Sequence, residues 1–139
     1  MNIHKAIFFL VLFFSFVQGH AQTIKEDRID EEYGKCLQKD TAYANICDCA
    51  FVAFGKWNKE MDKTYDKLLR NLKKEKDRTA LKAAQRAWVT YKEAEFNTYN
   101  NIYNLPGNKW CTLRQDGRIA IVKTRTLQLR QYLESVNSH

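Results

Sequence analysis

The stretch "ICDCAFVAFGKWNKEMDKTYDKLLRNL", Ile46 to Leu72, places apolar side chains at Ile46, Ala50, Phe54, Trp57, Met61, Tyr65, Leu68 and Leu72, always three or four residues apart. An α-helix turns once in about 3.6 residues, so this spacing gathers them into one stripe along a single side. No proline interrupts Thr41 to Lys76, and Lys56, Lys59, Glu60, Lys63, Lys67 and Lys74 fall on the other faces. The pattern predicts a long amphipathic helix with one side in a core.

Working outward toward the C-terminus, a second stripe begins near Thr79 and runs through Leu81, Ala84, Trp88, Tyr91, Glu95, Thr98, Ile102 and Leu105 until Pro106, Gly107 and Asn108 break it. The charged "KKEKDR", Lys73 to Arg78, is the turn between the two, which predicts an antiparallel hairpin. Helices of this length reach roughly 40 Å. A third stripe, Ile119, Val122, Thr126, Leu129 and Leu133, predicts a helix to about Val136 that packs back on the hairpin. No segment sustains a period of two. The expected fold is all-α: an elongated antiparallel hairpin, a third packed helix, and an irregular, disulfide-tied N-terminal section from Thr23 to about Lys39.

Toward the N-terminus, "MNIHKAIFFLVLFFSFVQGHAQ" joins one lysine to an apolar run from Ala6 to Val17 and then the small residues Gly19 and Ala21. This is the pattern of a secretory signal peptide over 1–21, leaving one domain over 22–139 that is periplasmic or secreted. The apolar run falls short of the ~20 residues a bilayer span needs, and no second run follows, so no transmembrane anchor is expected. The chain carries 23 basic and 16 acidic side chains, a net charge of +7, or about +6 once Lys5 is removed. Such charge favours anionic lipid or glycan surfaces, or serves solubility; export argues against nucleic acid as a partner.

All four cysteines, Cys36, Cys47, Cys49 and Cys111, lie beyond the leader, and an even number in an exported chain predicts two disulfides. Residues 47 and 49 point about 200° apart on a helix and need different partners. Cys47 continues the stripe of Ala50, Phe54 and Trp57, and the hairpin brings the start of its helix beside the loop after Pro106. Cys47 is therefore paired with Cys111, and Cys49 with Cys36. A zinc site is disfavoured, because Cys-x-Cys spacing is poor for one and His139 is the one imidazole outside the leader.

The same scarcity of histidine removes triads built on Ser-His or Cys-His. Glu93 and Glu95 are two apart on a helix and face different ways, and Asp30, Glu31 and Glu32 read as a solvated approach to a helix. No glycine-rich phosphate loop is present. No cofactor, no metal and no catalytic residues are expected, and the protein is read as a non-enzyme. The cations Lys67, Arg70, Lys73, Lys74, Lys76 and Arg78 gather at the hairpin turn as a solvated tip or a patch for an anionic surface.

On the second helix, Leu81, Gln85, Trp88, Lys92, Glu95 and Tyr99 form a row beside the apolar stripe. A glutamine and a glutamate bordering a core need partners, and Arg125 is placed to hold Glu95 with both arms of its guanidinium. Gln85, Trp88, Glu95 and Arg125 are thus expected to form a structural polar seam.

Together "AFVAFGKWNKEMDKTYDKLL", "LKAAQRAWVTYKEAEF" and "KTRTLQL" resemble the lysozyme-inhibitor LprI-like N-terminal domain family from Cys36 to about Leu133. The most specific part is the string Gln85, Arg86, Trp88, Tyr91, Lys92 and Glu95, supported by Trp57, Tyr65 and Arg125. The resemblance implies a small exported bacterial helical domain with lysozyme or another envelope protein as partner; the basic residues give the alternative, an envelope adaptor on an anionic lipid or glycan surface. It matches Cys36 and Cys49 to the family's usual early cysteine pair and carries over no inhibitory residues. Two departures stand out: Phe96, where many relatives have a cysteine, and Met61-Asp62, where Leu-Asn is usual.

Overall fold

A computed structural model describes residues 27–39 and 43–138. These fold into α1 (Arg28–Lys39), α2 (Tyr43–Asn71), α3 (Glu75–Ile102) and α4 (Asn108–Asn137), with no strand among the described residues. The protein is all-α, as the periodicity predicts. No helix is long and apolar enough to cross a membrane among the described residues, and the expected leader at 1–21 lies outside them.

Three boundaries differ from expectation. The N-terminal section is helical, not irregular: Asp27 accepts the Ile29 N–H at 3.0 Å as an N-cap, Asp30 and Glu31 occupy the first turn and Lys39 the last. Acidic residues at the start and a cation at the end complement the helix dipole. The last helix begins about three turns before Ile119, so Cys111 stands in its first turn and not in a loop. Its early turns are hard to read because Gln115, Gly117 and Arg118 interrupt the apolar pattern.

α4 packs most extensively on α2, α1 covers α2, and α3 lies against α4 more sparingly. The α2–α4 pair is parallel: the Cys47–Cys111 disulfide joins their N-terminal turns, while at the far ends the Asn71 amide donates to the Asn137 side-chain oxygen at 2.9 Å. α3 runs antiparallel to both, its Gln85 level with Met61 of α2 and with Arg125 of α4. Only residues 72–74 separate α2 from α3, so the turn is shorter than Lys73 to Arg78.

Small and β-branched residues let α2 and α4 approach. Ala50, Ala53, Trp57, Met61 and Leu68 of α2 share the core with Ile119, Val122 and Leu129 of α4, and α3 adds Leu81. Burying each large apolar side chain contributes roughly 1.5–3 kcal/mol. Thr64 and Thr126 enter this seam at little cost, because their hydroxyls donate to the Glu60 and Val122 carbonyls in their own helices at 2.7 and 2.8 Å. α3 meets α4 at another close approach: a Cβ on Gly117 would stand 2.7 Å from the Tyr99 ring.

Candidate functional site

The polar seam forms around Arg125, which is only 7% exposed. Its Nε and Nη2 both donate to Gln85 Oε1, at 3.0 and 2.9 Å, and its Nη1 donates to Gln128 Oε1 at 2.5 Å. The guanidinium also lies 5.9 Å from the Trp88 ring, whose other neighbour is the Lys92 ammonium at 5.6 Å. Burial lowers the Arg125 pKa, with the Tyr132 and Tyr65 phenols opposing. A guanidinium nonetheless stays cationic at neutral pH.

Glu95 is outside this arrangement, which corrects the expected pairing with Arg125. Ten residues along a helix is about 15 Å, so with α3 and α4 antiparallel only Gln85 is level with Arg125. The turn of α4 level with Glu95 instead brings Arg118, which lies 5.2 Å from the Phe96 ring and donates to Asn100 at 2.8 Å. The seam joins Gln85, Trp88 and Arg125, with Gln128 as a member that the periodicity of α4 did not single out.

Beside the seam runs an open groove of about 590 Å³ between α3 and α4, lined by Trp88, Tyr91, Arg125, Leu127 and Gln128 among others. Tyr91 and Leu127 are exposed. No carboxylate, histidine or cysteine is among its lining residues, so it holds no acid–base pair. Among the described residues, no three His, Cys, Asp or Glu side chains cluster as a metal would require.

The acidic N-terminal residues are not a solvated approach. Asp30 accepts the Trp57 indole N–H at 3.2 Å and the Lys123 ammonium at 2.5 Å. Asp27 pairs with Arg130 at 2.5 Å, and Arg130 reaches Glu60 at 3.0 Å. Glu32 pairs with Lys56 at 2.6 Å, and the Tyr33 hydroxyl donates to Asp116 at 2.7 Å. Burial would raise the Asp27 pKa, but the Arg130 hydrogen bond, the Ile29 N–H and the charges of Arg130 and Lys123 outweigh it, leaving the carboxyl below its usual value. Burial and the Asp116 bond raise the Tyr33 phenol. Glu31 remains exposed on the outer side of α1. These residues anchor α1 over Trp57. The sequence signal for the anchor is the Asp27 cap followed by Ile29, Tyr33 and Cys36 at helical spacing.

The disulfides join Cys36 to Cys49, holding α1 on α2, and Cys47 to Cys111, holding α2 on α4. At the opposite end of the long pair, Arg78 in the first turn of α3 reaches back to the connection. Its Nη1 donates to the Leu72 and Lys73 carbonyls at 2.6 and 3.2 Å, while Nε and Nη2 hold Glu75 at 2.9 and 2.7 Å.

A family model described as "Lysozyme inhibitor LprI" matches residues 35–129, a span that takes in both disulfides, the seam and this turn. The chain belongs to the LprI lysozyme-inhibitor family. No curated protein matches it. Among solved structures, the LprI-family fold here resembles the crystal structure of an uncharacterized protein from Burkholderia thailandensis, with a TM-score of 0.72 at 23% identity. The match covers 81% of this chain and 56% of that one. At that identity the likeness concerns the fold, and this LprI-family chain spans little more than half of its structural relative. The two disulfides mark an extracytoplasmic protein, since such bonds persist in oxidising compartments.

Proposed function

We propose that the protein is an exported, non-enzymatic binding domain of the bacterial envelope that inhibits a lysozyme-type muramidase by occluding its substrate cleft. The observation that carries this reading is the family match over residues 35–129, which spans α2, α3 and most of α4. A secretory leader over 1–21 would deliver the domain to the periplasm or the medium, where its disulfides form and its target acts.

The acidic cluster at Asp30 and Glu32 offers a basic enzyme little, because its members are bonded to Trp57, Lys123 and Lys56 of the protein itself. Occlusion must use another face. The test is turnover of cell-wall substrate by several purified muramidases in the presence of oxidised residues 22–139. Inhibition of at least one, saturating at a stoichiometric complex, is expected; no inhibition and no binding at micromolar concentration would remove the reading.

A further inference from the structure

We propose that the α2–α3 turn is the inhibitory element, with the Lys73 and Lys74 ammoniums entering the carboxylate-lined cleft of the muramidase. The proposal rests on the inhibitory reading above and assigns it a surface and a chemistry.

The turn is preorganised. Arg78 binds the Leu72 and Lys73 carbonyls and Glu75 together, the Lys74 carbonyl accepts the Asp77 and Arg78 amides at 3.1 and 3.2 Å, and the Leu72 amide closes on Leu68 at 3.1 Å. Leu72 packs against the core, and Asn71 is tied to Asn137. A fixed backbone loses little freedom on binding, which favours affinity. Arg78 and Glu75 neutralise each other within this arrangement, whereas Lys73, Lys74 and Lys76 are exposed and have no ion pair among the described residues. Residues 66–82 carry seven basic and three acidic side chains, an excess of four out of the chain's +7.

Shape and charge select the partner. A retaining or inverting glycosidase holds two carboxyl groups roughly 5–9.5 Å apart on either side of the scissile bond. Two adjacent lysines, about 3.8 Å apart at their Cα atoms and on long flexible stems, can span that separation. A convex tip enters such a cleft. The α3–α4 groove is concave, and its cation, Arg125, is buried and bonded to Gln85 and Gln128. Contact at the cleft also has a chemical consequence: the enzyme's general acid must keep its proton, and an ammonium beside it stabilises the ionised form.

The experiment compares the oxidised domain with its K73E/K74E variant in muramidase turnover, after circular dichroism has established that both are folded. Wild type is expected to inhibit, and the variant to be weaker by roughly a hundredfold or more, the loss expected for reversing two charges in a desolvated pair. A muramidase whose two catalytic carboxylates are changed to amides should bind wild type correspondingly weakly, and Tyr91→Ala in the groove should inhibit like wild type. If wild type inhibits and K73E/K74E matches it, or Tyr91→Ala abolishes inhibition, the tip is the wrong surface while the inhibitory reading stands. If the amide enzyme binds undiminished, the cleft contact is overturned. If wild type inhibits no muramidase but binds phosphatidylglycerol vesicles through Lys73 and Lys74, both readings fall and the tip serves a lipid surface.

Discussion

Trp57 on α2 and Trp88 on α3 each lie between two cations, yet their surroundings differ. The Trp57 ring has Lys123 at 5.5 Å and Arg130 at 5.7 Å, is fully buried, and gives its indole N–H to Asp30. The Trp88 ring has Lys92 and Arg125 at similar distances but is half-buried and lines an open groove. Carboxylates from α1 and α2 neutralise the cations beside Trp57, whereas Arg125 beside Trp88 is held by amides alone. The α2–α4 pair with its α1 cover is therefore the stable body of the molecule. α3, which carries most of the family's recognisable string, rests against it through Leu81, one polar seam and a few ring contacts.

The contrast is open to direct attack. The largest effect should come from Trp57→Ala, which removes a fully buried ring where three helices meet and should destabilise by about 3–5 kcal/mol. Trp88→Ala should cost much less, around 1 kcal/mol. Urea unfolding of the two variants measures the difference, and equal losses would erase the distinction between body and rest.

Next come the disulfides. Replacing Cys47 and Cys111 with alanine should cost about 2–5 kcal/mol, more than replacing Cys36 and Cys49 by roughly 1 kcal/mol, because the first pair closes the longer loop. The separations are 64 and 13 residues. Thermal unfolding of the two double variants under oxidising conditions tests the order.

A smaller change probes the docking of α3. Gly117→Ala drives a methyl into the Tyr99 ring and should destabilise by about 1 kcal/mol, overpacking outweighing the helix preference for alanine. In a Tyr99→Ala background the same substitution should become stabilising by about 0.5–1 kcal/mol. A change of sign across this double-mutant cycle, read by urea unfolding, sharpens the assignment; no change would place the contact elsewhere.

The gentlest probe is acid. Asp27 has a folded pKa below its usual value, so its contribution is fully present above about pH 4 and is lost as pH falls through the folded value. Asp27→Asn should lower the unfolding temperature at pH 6, and the gap to wild type should narrow steadily toward pH 2. A constant gap would mean that the Arg130 pairing contributes nothing through ionisation.

What could be read from sequence follows the same division. α2 was legible because nearly every inward position is apolar, from Ala50 through Trp57 to Leu68. The first turns of α4 were not, because their inward positions hold Gln115 and Gly117, and a buried glutamine breaks an apolar period without breaking a helix. α1 was harder to read for a related reason: beside the short row of Ile29 and Tyr33, it and its cap are held by carboxylates reaching Lys56, Lys123 and Arg130, and charge patterns alone do not say what they face. The seam was half legible. Row spacing on α3 identified Gln85 and Trp88, but choosing between Gln85 and Glu95 as the partner of Arg125 requires the relative level of two helices, which spacing within one helix does not contain. The preorganised turn was visible only as a run of charge, since the role of Arg78 depends on backbone carbonyls.

The parallel arrangement of α2 and α4 also sets a schedule for assembly. Helices next to each other in sequence can dock early, because closing a short loop is fast and costs little entropy. Here the neighbours α2 and α3 make the lesser contact, and the main interface waits for partners such as Glu60 and Arg130, 70 residues apart. A chain that emerges N-terminus first presents Cys36, Cys47 and Cys49 long before Cys111. During that interval three thiols compete for a single bond, and two of the three possible pairings are wrong, so correct oxidation depends on thiol exchange continuing until α4 arrives, and oxidative refolding should accelerate when a disulfide isomerase is supplied.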